Sequence, residues 1–284
     1  MTSKVRKAVF PVAGLGTRLL PATKTIPKEM ITIVDRPLIQ YAVDEAREAG
    51  IEQMVFVTGR GKSTLVDYFD TAFELEATLR DKGKSLDALS PSRARVGEIV
   101  SVRQQQPLGL GHAVWCAREI VGDEPFAVIL PDDLMVPGAL KQMVGVWEKL
   151  GGNLVATEEV PAEKTGSYGI ITPGESAGDL TEVLGLVEKP APGEAPSRLG
   201  VIGRYLLQPE VFDVLDKRET GAGREIQLTD AMARLIGEQP FHALKVDAVR
   251  YDCGDRIGFV LANLALALER EDVGPKLREE LKRL

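Results

Sequence analysis

An apolar run over residues 8–13 stops at Gly14-Leu15-Gly16, the pattern of a buried strand that ends in a turn. Leu38, Ile39, Ala42, Val43 and Ala46 then recur at helical spacing, with Pro37 in the first turn and Gly50 past the end. A helix is therefore expected over residues 37–48. Met54-Val55-Phe56-Val57 reads as the next strand. The alternation continues with helix 63–69, strand 99–102, helix 112–120, strand 126–130, helix 139–150 and strand 154–157. Such βαβα order predicts an α/β chain with a Rossmann-like, doubly wound, mixed but mainly parallel sheet.

Two stretches break the rhythm. Residues 74–98 are rich in charge and carry Ser90-Pro91-Ser92, so a solvated insertion of one helix and a loop is expected there. From about Gly166, apolar runs at 169–171, 180–187 and 199–206 follow one another with no helical pattern between them. They predict a smaller antiparallel portion that covers one end of the sheet and can enclose a second substrate. Apolar residues return at helical spacing over 256–267 and 276–284. The expected organisation is one domain over 1–284: a nucleotide-binding part at about 7–160, a second-substrate part at about 161–260, and C-terminal helices at about 255–284.

Composition narrows the class. Hydrophobic residues make up 44% of the 284, charged residues 27% and aromatic residues 5%, which suits a globular enzyme and excludes a disordered chain. The net charge of -7 argues against nucleic acid as a partner, so any phosphate must be held by locally placed cations. Only Cys116 and Cys253 occur, which fits a reducing compartment. The apolar run near the start is too short for a signal peptide, and the longest one, 259–268, is broken by Asn263 and is about half a membrane span. A cytoplasmic protein with no membrane partner is expected.

The glycine turn is the first candidate site. The glycines fall where the strand is expected to hand over to a helix, so that main-chain N–H groups can meet phosphate, and Arg18 and Lys28 add two cations. Gly14-Leu15-Gly16-Thr17-Arg18-Leu19 departs from the dinucleotide fingerprint at Leu19, where the third glycine belongs. Gly59-Arg60-Gly61-Lys62-Ser63 ends like a Walker A loop, but Phe56 stands where that loop needs its first glycine. A turn followed by a helix N-cap at Ser63 is expected instead.

What remains is Gly14-Leu15-Gly16-Thr17-Arg18 followed after eight residues by Pro27-Lys28-Glu29. With its flanks Pro11-Val12-Ala13 and Leu20-Pro21-Ala22-Thr23-Lys24, this arrangement resembles the sugar nucleotidyltransferase family, and within it the bacterial UTP–glucose-1-phosphate uridylyltransferases. Further segments run in the family's order: Pro107-Leu108-Gly109-Leu110-Gly111-His112, Leu130-Pro131-Asp132-Asp133, Val187-Glu188-Lys189-Pro190, Glu225-Ile226-Gln227-Leu228-Thr229-Asp230 and Tyr251-Asp252-Cys253-Gly254. The resemblance covers residues 7–260 or so. The rivals are a glucose-1-phosphate thymidylyltransferase, whose glycine turn usually reads Gly-Gly-x-Gly, and a non-catalytic nucleotide-sugar-binding regulatory protein, which would have lost a phosphate cation or a metal carboxylate.

The resemblance implies attack of glucose 1-phosphate on the α-phosphorus of UTP, with Mg2+ as cofactor. Bringing two polyanions together calls for positioning and charge rather than a nucleophilic side chain. Arg18, Lys28 and Lys189 are the implied catalytic cations. Asp132 follows an apolar strand at the ligand edge of such a sheet, and Asp132 and Asp252 are the implied metal pair. Asp133 is given no role. Glu188 is expected to take the sugar hydroxyls and Lys189 the sugar phosphate. Both reaching one ligand from consecutive strand positions requires the strand to end or twist there, as Pro190 indicates. Gly169 and Val201 are implied to line the sugar. Ala13, Gly14, Glu29, Gln104 and Gly109 are implied at the base, Gly109 by leaving room for the ring, while His112 is expected to be structural. Within Gln104-Gln105-Gln106 the first is favoured because Arg103 precedes it. A homo-oligomer, dimer or tetramer, is also expected, the apolar positions of 256–267 and 276–284 being available to the core or to another subunit.

Overall fold

The computed structural model describes residues 4–283; residues 1–3 and 284, the outermost ends of the expected single domain and of its last helix, lie outside it. The strands are β1 (Lys7–Pro11), β2 (Thr32–Ile33), β3 (Arg36–Pro37), β4 (Gln53–Thr58), β5 (Ile99–Arg103), β6 (Phe126–Ile129), β7 (Asp133–Val136), β8 (Asn153–Glu159), β9 (Gly169–Ala177), β10 (Leu180–Glu188), β11 (Leu199–Leu207), β12 (Phe241–Lys245) and β13 (Val249–Asp252). The helices are α1 (Leu38–Glu48), α2 (Thr64–Asp67), α3 (Phe73–Asp81), α4 (Leu110–Trp115), α5 (Arg118–Val121), α6 (Leu140–Leu150), α7 (Val211–Asp216), α8 (Leu228–Leu235), α9 (Arg256–Glu269) and α10 (Gly274–Leu281).

Nine strands form one mixed sheet in the order β5-β4-β1-β6-β11-β8-β12-β10-β9. The first four run parallel, as the βαβα pattern predicts. Beyond β6 the expectation of a mainly parallel sheet gives way. Strand β11 is antiparallel to both β6 and β8, and β10 is antiparallel to both β12 and β9, so only the β12–β8 pair there is parallel. Part of the reason is a hairpin: β9 and β10 are joined by two residues with no helix between them, so the chain returns antiparallel. Gly200 of β11 also bridges Ile170 of β9, which closes β11, β8, β12, β10 and β9 into a ring.

Strands β1, β4 and β6 are apolar on both sides because both faces are covered. Phe10, Met54 and Phe56 pack on one face with residues of α1 and α6 such as Ile39, Leu140 and Trp147. Val9, Val55 and Phe126 pack on the other with Val114 of α4, Phe212 of α7 and Met232 of α8. Full burial of each such side chain stabilises the fold by about 1.5–3 kcal/mol relative to exposure.

The helix expected over 112–120 is split, beginning at Leu110 and restarting at Arg118. The 74–98 insertion is a helix, α3, and a loop with a 3₁₀ segment over Asp87–Ser92, as expected. It docks on α1 through Arg47, which donates to the carbonyls of Pro91 and Arg93 and to Glu98.

Two features position the ligand edge. Strands β13 and β7 form a small antiparallel ladder in which Asp252 faces Asp133. The main-chain nitrogen of Cys253 then donates to the oxygen of Asp132 at 2.7 Å. A residue near the end of the chain is thereby tied to the loop after β6.

Candidate functional site

The glycine turn does not feed an α-helix. After β1 the chain makes three short 3₁₀ segments, Thr17–Leu19, Ala22–Lys24 and Lys28–Met30, because Pro21 and Pro27 interrupt any longer helix. The helix N-terminus expected to meet phosphate is therefore absent, and what remains is the turn and its cations. Gly16 is required at φ +67, where a Cβ would stand 3.1 Å from both Lys28 Cβ and Thr23 Cγ2. Thr23 Oγ1 donates to the Gly16 carbonyl at 2.7 Å and holds the turn over the segment that carries Lys28.

Four expected residues meet at one point. Lys28 Nζ donates to Asp132 Oδ2, both side chains being largely buried. Arg18, 63% exposed, places Nη1 3.9 Å from Asp252 Oδ2. Gly254 lies among them: a Cβ there would stand 2.8 Å from Asp132 Oδ2, 2.9 Å from Arg18 Nη2 and 3.1 Å from Asp252 Oδ1. The two carboxylates thus converge although they are far apart in sequence. Helix α9 is capped by Asp255, which accepts from the Ile257 and Gly258 nitrogens, so Asp252 is not spent on capping. Burial works against both charges of the Lys28–Asp132 pair, but it is outweighed by Asp132 together with Glu29 at Lys28, and by Lys28 together with a main-chain hydrogen bond and Arg18 at Asp132. The Lys28 ammonium is held above its ordinary value and the Asp132 carboxyl below its own. Among the described residues no group of three or more His, Cys, Asp or Glu side chains is set to hold a metal. Two carboxylates at one point, with open positions left for ligand oxygens, are nevertheless the donor set for a hard divalent cation.

A cleft of about 280 Å³ opens at this point. Arg18, Asp132 and Asp252 line it together with Gly169, Glu188, Lys189 and Val201. Glu188 is the last residue of β10, and Lys189 adopts φ +46, a left-handed conformation rare for lysine. The strand ends there as expected, so the consecutive side chains converge, with Lys189 Nζ 3.2 Å from Glu188 Oε1. The Lys189 N–H donates to the Tyr168 carbonyl at 3.0 Å, which fixes the bend. A Cβ on Gly169 would press to 2.9 Å from Thr229 Oγ1 and 3.3 Å from Glu188 Oε2.

The residues expected at the base lie beside the carboxyl ends of β1, β4 and β5. Gly59 packs on Ala13, a Cβ at Gly59 standing 3.1 Å from the Ala13 oxygen, and Gly14 lies over Lys28. Gln104 is buried; its Nε2 donates to the Gly109 carbonyl at 3.0 Å and lies 3.1 Å from His112 Nδ1. Burial and Arg218 hold the His112 imidazole below its ordinary value, so it is neutral and serves to orient Gln104. At Gly109, φ is +110 and a Cβ would strike the Ile226 oxygen at 2.7 Å, so the glycine is demanded by the 225–226 backbone. Glu29 is fully buried and accepts from Lys62 Nζ at 2.8 Å. Lys62 is thus committed to an ion pair, as its failed Walker spacing allows. Ser63 stands at the cap position of α2 but its side chain makes no cap hydrogen bond.

Sequence reasoning missed a buried framework behind the cleft. Arg250 pairs with Asp133 at 2.6 Å and with Glu158, and Asp133 Oδ2 accepts from the Gly203 nitrogen at 3.0 Å. Asp133, given no role from sequence, therefore anchors β7 to β11 and β13. Arg204 is 1% exposed, bonds Glu45 and donates to the carbonyls of Leu130 and Asp133. The one available signal was charge inside otherwise apolar strand runs, as at Arg204 between Val201 and Leu206.

Residues 7–267 match the nucleotidyl transferase family. A relative named UTP–glucose-1-phosphate uridylyltransferase, from Komagataeibacter xylinus, is 55% identical over 261 residues, covering 90% of this chain and 92% of its own. A solved structure of a UTP-bound UGPase from Acinetobacter baumannii superposes with a TM-score of 0.89 at 42% identity, covering 99% of each chain. A crystal structure of a UDP-glucose pyrophosphorylase complexed with UDP-glucose has a TM-score of 0.84 at 43% identity, covering 94% of this chain and 100% of the other.

Proposed function

The chain belongs to the nucleotidyl transferase family, and from that premise we propose that it transfers the uridylyl group of UTP to glucose 1-phosphate, giving UDP-glucose and pyrophosphate. The relatives' names support the substrates. The observation that carries the reading is the single cleft in which Arg18, Asp132 and Asp252 face the same space as Glu188 and Lys189.

In this reading an oxygen of the sugar phosphate attacks the α-phosphorus of UTP, a P–O bond forms, and the bond to the bridging oxygen breaks as pyrophosphate leaves with its electron pair. Lys28, protonated across the neutral range because Asp132 and Glu29 outweigh its burial, binds the triphosphate. Arg18, exposed at the cleft and next to Asp252, offsets charge on the departing pyrophosphate. Lys189 holds the sugar phosphate and Glu188 accepts from sugar hydroxyls, with Gly169 and Val201 shaping the wall. Ala13, Gly14, Gln104 and Gly109 form the base side, and Glu29 backs it. Asp132 and Asp252 would hold Mg2+, which when bound neutralises phosphate charge and draws the reacting groups into line.

The assignment of residues 7–160 to the nucleotide and 161–260 to the sugar phosphate belongs to the same proposal. So does a cytoplasmic setting, in keeping with the unpaired thiols of Cys116 and Cys253; no helix among the described residues is long and apolar enough to cross a membrane. A dimer or tetramer is supported by Ile257, Val260 and Leu261 of α9, which are 69%, 59% and 49% exposed at helical spacing and which a second copy would cover. A monomer by light scattering at micromolar concentration would overturn that part.

The reaction is tested by incubating the protein with glucose 1-phosphate, Mg2+ and each of UTP, dTTP, CTP and ATP. Pyrophosphate is expected from UTP far ahead of the others. Faster release from dTTP would replace the base assignment, and no release from any would favour a binding protein.

A further inference from the structure

The turn Gly59-Arg60-Gly61-Lys62-Ser63 is left without a task by the proposed reaction, yet it touches three pieces of the base side. The Gly59 carbonyl accepts from Arg103 Nη1 at 2.7 Å, fixing the residue before Gln104. Gly59 itself packs against the Ala13 main chain. Lys62, 6% exposed, reaches Glu29, 0% exposed, at 2.8 Å.

A buried lysine–glutamate pair is a costly way to fill space, since apolar side chains of equal volume usually serve stability as well or better. This pair is more costly still, because Glu29 Oε1 is buried and has no hydrogen-bond partner among the described residues. What the pair achieves is placement. Glu29 is the middle residue of the 3₁₀ segment Lys28–Met30, which packs against α1 and α2, so anchoring its carboxylate anchors the segment that carries the Lys28 ammonium.

We propose that Lys62 is a positioning residue for the nucleotide: it holds Glu29, and through Glu29 it sets Lys28 and the base-side loop in the geometry that receives UTP. The inference rests on the uridylyl-transfer reading and adds to it a residue that touches no substrate. Lys62 acts on one substrate only, since the sugar phosphate is met by Glu188 and Lys189 from the strand ring.

The test is a pair of variants, each checked for thermal stability and titrated with UTP and Mg2+ in the absence of glucose 1-phosphate. For Lys62→Met the dissociation constant for UTP is expected to rise about tenfold or more, while KM for glucose 1-phosphate stays within about twofold. A merely structural role predicts a smaller folded fraction, seen as lower kcat with both constants unchanged, and that result would overturn the proposal. Because Lys62→Met leaves a bare buried carboxylate, Glu29→Gln/Lys62→Met supplies a neutral pair of similar shape. Stability is expected to recover in it while UTP binding stays weak; recovery of UTP binding along with stability would likewise overturn the proposal. If the wild-type protein releases pyrophosphate from another triphosphate in place of UTP, the base assignment fails, and the same titrations with that triphosphate decide the role of Lys62.

Discussion

The main-chain nitrogen of Cys253 donates to the main-chain carbonyl oxygen of Asp132 at 2.7 Å. This bond clamps the end of β13 to the loop after β6 and brings the carboxylates of Asp132 and Asp252 to either side of Gly254. Packing at Gly254 leaves no room for a side chain. Gly254→Ala is therefore expected to lower kcat about a hundredfold or more by parting the carboxylates and displacing Arg18. Far-UV circular dichroism should be unchanged; wild-type turnover would remove this convergence from the mechanism.

The Lys28–Asp132 pair links stability to pH from both sides. The Asp132 pKa lies below its ordinary 3.8, so its contribution is present above 3.8 and is lost as the pH falls through the folded value. The Lys28 pKa lies above its ordinary 10.5, so its contribution is full below 10.5 and is lost as the pH rises through the folded value. The gap in melting temperature between wild type and Lys28→Met should hold level near neutral pH and narrow toward both extremes. A gap that kept widening on acidification would contradict the pairing.

Lys189→Ala is expected to cut turnover by about two to three orders of magnitude while UTP still binds, because in the proposed reaction the ammonium meets the second substrate only. Initial rates and a UTP titration on one preparation check this. Unchanged turnover would take Lys189 out of the site.

Arg250→Gln should be costly for folding rather than for one substrate. Arg250 is largely buried between Asp133 and Glu158, and its loss strands the Asp133 carboxylate, which burial already pushes toward the neutral acid. A loss on the order of 3–5 kcal/mol is expected from denaturant unfolding. Asp133→Asn in the same background should return part of it.

The alternation of apolar runs made the parallel half of the sheet and its helices legible, because each buried strand and covering helix writes its own period. The antiparallel half was legible as a change of rhythm, but its ring was not: the Gly200–Ile170 bridge leaves no local pattern. Pro190 signalled the bend that lets Glu188 and Lys189 converge. The glycine turn misled at one point, since Pro21 and Pro27 cut the expected helix into 3₁₀ segments. Lys28 and Asp132 stand 104 residues apart, and the contact between them, like those of Arg250 with Asp133 and Lys62 with Glu29, is created by topology alone. Motif resemblance could point to members of such pairs but not to who holds whom.

The β13–β7 ladder also sets a schedule. During synthesis the sheet from β1 to β6, the glycine turn and Asp132 can all assemble while Asp252 is still unmade, because its strand is the last of the thirteen. A nascent or C-terminally clipped chain can therefore own most of the fold yet hold only one of the two converging carboxylates. Synthesis therefore completes the pair proposed to hold the metal ion only once the last strand among the described residues has been made.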